Sequence, residues 1–325
     1  MIIRLFKSSY FLKLFSFILI SLGLWAGAFV NPPSYTQDLF DGFIWHLLPG
    51  RFIVPAFTAT ILAFLLLVAQ ALYLNNILTA IPLFSQSIFF PALLFVMLGS
   101  FDPNLLTLHD GSIISLLLVL SFRNLLHFYD KDETIKEAFN AAFWMSVASL
   151  FHIEAAVMML FVWGSFVVCR LTAWREWVVS LLGFATPWLL IISALYLTDG
   201  LKQLTGYFTD IEAKFSFAFS TIHLKQWIFF AAIAFLLLLS LVKIESEIHD
   251  KVISIRKNLA VVKVMLFVGV LSFVAGLSDP SESFYLMIPP STVVMAYFFM
   301  ARKKLFWAEL FFSLLLALIV TFRFI

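Results

Sequence analysis

The residues in this sequence best suited to chemistry are carboxylates and imidazoles that interrupt long apolar runs. Asp38 and Asp41 lie three residues apart in the first hydrophilic stretch. The pattern over 34–48 predicts a short amphipathic helix on the membrane, with both carboxylates on one face. Such a pair can hold a divalent cation, Mg or Mn, or supply a general base and an orienting group. A polar turn with acids at a helix end explains the same pair without chemistry.

A second hydrophilic stretch, at 101–112, contains Asp102, His109 and Asp110. The stretch is short, so these side chains must stay close to the neighbouring helices. Asp102 precedes a proline and Asp110 precedes a glycine, and both pairs are ordinary turn chemistry. The stretch therefore predicts either a polar site or a plain turn.

The third candidate is the pair His152 and Glu154, which interrupts an apolar run from 138 to 169. Each arm of that run has about 14 or 15 residues, or roughly 21–23 Å of helix, against a hydrocarbon core of about 30 Å. An ionisable pair below the membrane surface needs a cavity or a partner, which makes it a functional candidate. Longer or tilted arms would instead place the pair among lipid headgroups.

The composition indicates that lipid is the solvent of this chain. Of its 325 residues, 62% are hydrophobic and only 12% are charged, whereas soluble proteins have about 25% charged residues. Backbone amides in hydrocarbon must be hydrogen-bonded within their own segment, and alternating strand patterns are absent, so the spans are predicted to be helices. The single cysteine, Cys169, excludes a disulfide within the chain.

The predicted architecture is an all-α polytopic transmembrane bundle with about eleven spans, ten to twelve being compatible with the pattern. The apolar runs that define these spans lie at 10–30, 52–72, 81–99, 113–128, 138–151, 153–169, 177–197, 227–243, 259–277, 285–300 and 305–322.

The basic residues predict the orientation of the bundle. With a cytoplasmic N-terminus and a periplasmic C-terminus, sixteen of the 21 lysines and arginines fall on the cytoplasmic side, as the positive-inside rule requires. The same topology places most acids, Glu282 among them, and four of the six histidines outside. The outer face is thus the predicted working face. The five basic residues on it are Arg51, Lys202, Lys214, Lys225 and Arg323.

Several function classes lack support in the sequence. GxxxxGK[ST], GxGxxG, HExxH, CxxC and GxSxG motifs are absent, which disfavours nucleotide hydrolysis, dinucleotide redox chemistry and the common zinc and serine-hydrolase sites. The basic residues lie at membrane edges rather than in a stripe, so nucleic acid is not a predicted partner.

The layout of residues 10–200 resembles polyprenyl-phosphate-sugar-dependent membrane glycosyltransferases of the GT-C superfamily. Those enzymes carry an acid in an amphipathic first outer loop, matched by Asp38 and Asp41, and often another after the third span, matched by Asp102. The run at 136–188 is similar to their paired short helices, basic turn and span with Pro-Trp. The chain lacks their paired-acid signature and a sizeable domain after the last spans. It also resembles multi-span membrane proteins of Bacteroidota.

The resemblance implies a single membrane domain over 1–325, with a GT-C-like module of seven spans at 10–200 and additional spans over 227–325. It implies a bacterial inner-membrane enzyme that takes a polyprenyl-phosphate-linked sugar from the lipid at the periplasmic face. The implied catalytic residues are Asp38, Asp41 and Asp102, the first two also holding the metal. The implied substrate-binding residues are His152, Glu154, His109, Asp110 and Arg51.

Two other functions are compatible with the sequence. A non-enzymatic subunit or scaffold of an envelope assembly or secretion complex needs membrane protein partners but no catalytic residues. A transporter or flippase would place Pro187, Pro289 and Glu309 at helix bends, with His152 and Glu154 lining the path.

Overall fold

The computed structural model of the chain is helical in every described element. It describes residues 10–33, 42–47, 55–81, 89–126, 128, 134–171, 173–201, 204, 206–207, 224–275, 280–301 and 305–324. The helices are α1 (Tyr10–Val30), α2 (Phe43–Leu47), α3 (Ala56–Ala80), α4 (Phe90–Gly99), α5 (Asp110–Leu126), α6 (Thr134–Phe151), α7 (Met159–Cys169), α8 (Trp174–Leu197), α9 (Leu224–Glu247), α10 (Ile253–Ala275), α11 (Pro280–Ala301) and α12 (Leu305–Phe324). Short 3₁₀ turns lie at Pro103–Leu105, Ile153–Met158 and Ile248–Asp250.

The apolar helices identify a multi-pass membrane protein. Within the described residues, six helices are long and apolar enough to cross a bilayer: α1, α3, α8, α9, α10 and α11. Shorter apolar helices lie at Phe90–Gly99, Ile153–Cys169 and Glu309–Thr321. The predicted all-α membrane class is therefore confirmed.

Helix α11 is the centre of the bundle. Its most apolar window is 94% buried inside the protein, whereas the corresponding windows of the other five long helices are 22–50% buried. It packs against α4, α5, α9 and α10. Pro289 and Pro290 lie inside it, and the close packing around them shields the backbone groups that prolines leave unbonded. A residue on α11 can thus contact several other helices.

The most extensive packing between two helices outside this centre is that of α6 against α8. Gly183 of α8 makes that approach possible, because a Cβ atom there would lie 2.5 Å from the carbonyl oxygen of Phe139 on α6. Ser146 of α6 donates a hydrogen bond across the pair to the carbonyl of Phe184. Helix α6 also packs against α5, and α7 packs against α10.

Several helix boundaries differ from the predicted spans. Helix α3 continues to Ala80, although the apolar run ends at 72. Gln70 and Asn75 are buried on this helix, and the Gln70 amide donates to the Ser112 carbonyl. These polar side chains lie inside the bundle, although they lower the hydropathy of the sequence and so led to a predicted span that ends too early. Helix α4 has only ten residues and begins at Phe90. The predicted span at 153–169 begins with a 3₁₀ turn before α7.

Candidate functional site

The N-terminal turn of α11 bonds to three of the predicted site residues. The Ser281 hydroxyl donates to Asp102 Oδ2 at 2.9 Å. The Glu282 carboxylate lies 3.2 Å from His152 Nε2, and the Ser283 hydroxyl donates to Glu154 Oε2 at 2.8 Å. Because successive helical residues point about 100° apart, three neighbours in one turn reach three different parts of the bundle.

The local sequence explains why a helix begins at this point. Pro280 occupies the first position of α11, where its fixed φ suits a helix and its missing N–H is not needed. The first turn of a helix also carries a partial positive charge, which stabilises nearby carboxylates. Asp102, Glu154 and Glu282 all lie at this end of α11.

Asp102 has bonding partners on both carboxylate oxygens. Its Oδ1 accepts from the backbone N–H of Asn104 at 3.0 Å and so caps the 3₁₀ turn after Pro103. Its Oδ2 accepts from Ser281 and, at 3.3 Å, from the Gln226 amide of α9. The turn chemistry predicted at Asp102 is therefore present, together with bonds to two distant helices.

His109 is buried beside α11 with one ring nitrogen unbonded. Its Nδ1 lies 2.8 Å from the Thr107 carbonyl, which can only accept, so Nδ1 carries the proton. Nε2 then has a lone pair and no hydrogen-bond partner within the described residues. The ring packs edge-on against Tyr285, with 4.4 Å between centroids. Burial lowers the pKa of His109, which lies in the connector before α5, and the raising effects of Glu282, the Thr107 carbonyl and Asp102 are smaller.

Asp110 fixes the end of the first hydrophilic loop. Its Oδ1 accepts from the Trp45 indole N–H at 2.7 Å, and its Oδ2 accepts from the Gly42 backbone N–H at 3.2 Å. Gly42 approaches the Phe151 carbonyl so closely that any Cβ atom would collide with it. The segment 42–47 therefore lies over the junction between α6 and the next 3₁₀ turn.

His152 and Glu282 lie at ion-pair distance from each other in the site. Their side chains are 15% and 10% exposed, so the pair is largely removed from water. Burial by itself lowers the pKa of His152, which lies between α6 and the 3₁₀ turn. The hydrogen bond and charge of Glu282, with smaller effects of Glu154 and Asp110, more than offset burial and raise that pKa above its ordinary value.

Glu154 is almost fully enclosed, at 1% exposure. Its Oε2 accepts from Ser283, while its Oε1 has no hydrogen-bond partner within the part of the chain that the structure describes. An unpaired buried oxygen costs about 1–3 kcal/mol. Within the described residues, this oxygen and Nε2 of His109 are both buried without a hydrogen-bond partner.

These contacts define one acid–histidine cluster at the end of the bundle where α11 begins. Its members are Asp102, His109, Asp110, His152, Glu154 and Glu282. The structure thus brings together five residues that the sequence singled out. Asp38, Asp41 and Arg51 lie outside the described residues.

The α11 side of the cluster was not predicted. Glu282 was placed on the outer side but not in the site, and Ser281, Ser283, Tyr285 and Gln226 were not predicted to take part. One signal was available, because a proline followed by Ser-Glu-Ser is typical of a helix start. The partners of that turn are more than a hundred residues away in sequence.

The described part of the cluster does not fit a metal ion. No group of three or more His, Cys, Asp or Glu side chains within the described residues is arranged to hold one. The oxygens of Asp102 and Asp110 accept from hydroxyl, amide, indole and backbone donors instead of converging on an open position. The predicted cation site at Asp38 and Asp41 stays a prediction.

The arrangement can exchange protons. His152 is oriented through Nε2 by Glu282, so Nδ1 is the second ring nitrogen through which it could exchange a proton. A histidine held by a carboxylate on one nitrogen can take a proton on the other. No family model, curated protein or solved structure matches this chain.

Proposed function

We propose that the protein is a bacterial inner-membrane transferase that acts at the periplasmic face on a polyprenyl-phosphate-linked sugar. The proposal includes about eleven spans, a cytoplasmic N-terminus and a GT-C-like arrangement of the first seven spans. The observation that supports it best is the His152–Glu282 pair, a buried base and orienting carboxylate among three further acids.

The proposed reaction uses His152 as the general base. Its Nδ1 takes the proton of an acceptor hydroxyl while the acceptor oxygen bonds to the anomeric carbon. The bond from that carbon to the polyprenyl phosphate breaks, and the phosphate oxygen keeps the electron pair. Glu282 stabilises the imidazolium that forms. Asp38 and Asp41 are the proposed holders of a divalent cation, which would neutralise the leaving phosphate.

The position of the cluster favours a transferase over a transporter. Transporter sites typically lie near the middle of the bilayer, whereas this cluster surrounds the first turn of a helix of 22 residues. One feature favours the transporter instead, because Pro187 and Pro289 lie inside helices, as bent spans would require. A polyprenyl phosphate places its reactive group at the membrane surface, where the cluster would meet it.

A non-enzymatic subunit is the second candidate function. It is favoured by the Ser281–Asp102 and Ser283–Glu154 hydrogen bonds, in which the carboxylates connect distant segments of the bundle and so have a structural role. Purification from native membranes distinguishes the two functions. Stoichiometric membrane partners without transfer activity support the subunit, and a lone active protein supports the transferase.

The direct test is sugar transfer in membranes supplied with a polyprenyl-phosphate-linked sugar. We expect His152→Gln to lower the rate about a hundredfold or more, since general bases contribute about 10²–10⁴. The control is Asp250→Asn, at an exposed carboxylate in the Ile248–Asp250 turn. Equal rates for His152→Gln and the parent protein, at equal expression, would reject the base assignment.

A further inference from the structure

A basic cavity of about 500 Å³ lies between α7 and α10, far from the acid–histidine cluster. It is lined by Val168, Arg170, Ile253, Arg256, Lys257 and Ala260. Three of these six side chains are cationic and none is acidic. The cavity thus combines a strong positive charge with an apolar wall.

The cavity and the acid–histidine cluster lie at opposite ends of the same two segments. Glu154 and Arg170 are separated by the 3₁₀ turn and α7, and Arg256 and Ser272 by sixteen residues of α10. Ser272 lies beside the cluster, and its hydroxyl is 3.5 Å from the Glu154 carbonyl. Sixteen helical residues extend about 24 Å, close to the roughly 30 Å of a hydrocarbon core. The cavity therefore lies near the opposite membrane surface, which the positive-inside rule assigns to the cytoplasm.

The cations of the cavity are placed to attract an anion. Neither Arg170 nor Arg256 has an ion-pair partner within the described part of the chain. Arg256 and Lys257 lie in the first turns of α10, where the helix end already carries partial positive charge. Arg170 has a φ of 59°, a left-handed conformation that glycine adopts at lower cost. Cations grouped at the positive end of a helix repel it and one another, so this grouping is unfavourable unless negative charge is nearby.

The apolar wall indicates a lipid rather than a free ion. Val168 and Ala260 line the cavity beside Ile253, which is 53% exposed, and the neighbouring Val167 is 66% exposed. Such exposed aliphatic side chains suit acyl chains in a membrane. Basic cavities between helices at the cytoplasmic surface are sites where anionic headgroups bind.

We infer that this basic cavity binds the phosphate headgroup of an anionic phospholipid from the inner leaflet. Arg170, Arg256 and Lys257 contact the phosphate, and Val168 and Ile253 contact the start of the acyl chains. The site is independent of the proposed transferase activity, since it uses other residues at the other end of the bundle.

The test measures lipid binding by native mass spectrometry of the purified full chain, with dioleoylphosphatidylglycerol and dioleoylphosphatidylcholine as probes. We expect the parent protein to prefer phosphatidylglycerol. Each cation near the surface contributes about fivefold in affinity, so Arg256→Gln with Lys257→Gln should weaken that binding roughly twenty- to thirtyfold. Lys263→Gln is the matched control, because Lys263 lies on the same helix, is paired with Glu245 and does not line the cavity.

A second variant separates loss of binding from loss of folding. Arg170→Gly removes a cation at a left-handed position that suits glycine, so we expect unchanged or higher thermal stability with about fivefold weaker phosphatidylglycerol binding. Parent-level phosphatidylglycerol binding in both variants would overturn the inference. Equal binding of phosphatidylcholine, or equally tight binding of inorganic phosphate, would also overturn it.

Discussion

Removing the Asp110 carboxylate should release the first loop from the bundle. Asp110→Ala deletes the acceptor for both the Trp45 indole N–H and the Gly42 backbone N–H. Each bond contributes about 1–3 kcal/mol when its loss leaves a buried group unsatisfied, so the docked segment 42–47 loses about 2–6 kcal/mol. Every 1.4 kcal/mol is a factor of about ten in the open population. We therefore expect the loop to open at least tenfold more often.

Amide hydrogen exchange of the peptide 42–47, in the full chain held in nanodiscs, measures that opening. Trp45→Phe provides an intermediate step, since it removes one bond and keeps the ring against Phe151. Asp250→Ala is the control, at an exposed acid in the Ile248–Asp250 turn. We expect exchange to rise in the order control, Trp45→Phe, Asp110→Ala. Parent-level protection in Asp110→Ala would refute the anchoring role.

Three further outcomes are expected. Ser283→Ala should lower the free energy of unfolding in detergent by about 1–3 kcal/mol, because Glu154 then loses its hydrogen bond; a change within 0.5 kcal/mol, about the usual effect of a surface substitution, would contradict this. Gly183→Ala should cost about 1–3 kcal/mol through collision with the neighbouring helix, whereas Gly23→Ala, with open space around it, should be neutral or stabilising. His109 has a lowered pKa in the folded state, so its contribution to stability is complete above the unfolded value of about 6.5 and declines as pH falls below it; melting temperatures across that range should show a smaller decline in His109→Gln.

The sequence was sufficient to predict the membrane class and most helix positions, because apolar length follows directly from the solvent. It was less informative where polar side chains are buried. Gln70 and Asn75 end an apolar run in the sequence, yet α3 continues through them inside the bundle. Hydropathy cannot distinguish a polar residue in water from one bonded to a neighbouring helix.

The sequence predicted the site residues that precede α11, but not the residues of α11 that bond to them. His152 and Glu154 were recognisable because they interrupt an apolar run, and Asp102 was recognisable because it lies in a short hydrophilic turn. The Ser281–Ser283 turn that bonds to them belongs to a later helix and resembles an ordinary helix start in sequence. Such long-range pairing depends on how α11 packs at the centre of the bundle, which no local pattern encodes.

His152 and Glu282 are proposed to act as one catalytic unit, and a double-mutant cycle on sugar transfer tests that proposal most directly. Residues that act as a unit give non-additive losses. We expect His152→Gln, Glu282→Gln and the double variant each to transfer sugar from the polyprenyl-linked donor about a hundredfold more slowly than the parent protein. Losses that multiply in the double variant, or full activity in either single variant, would contradict it.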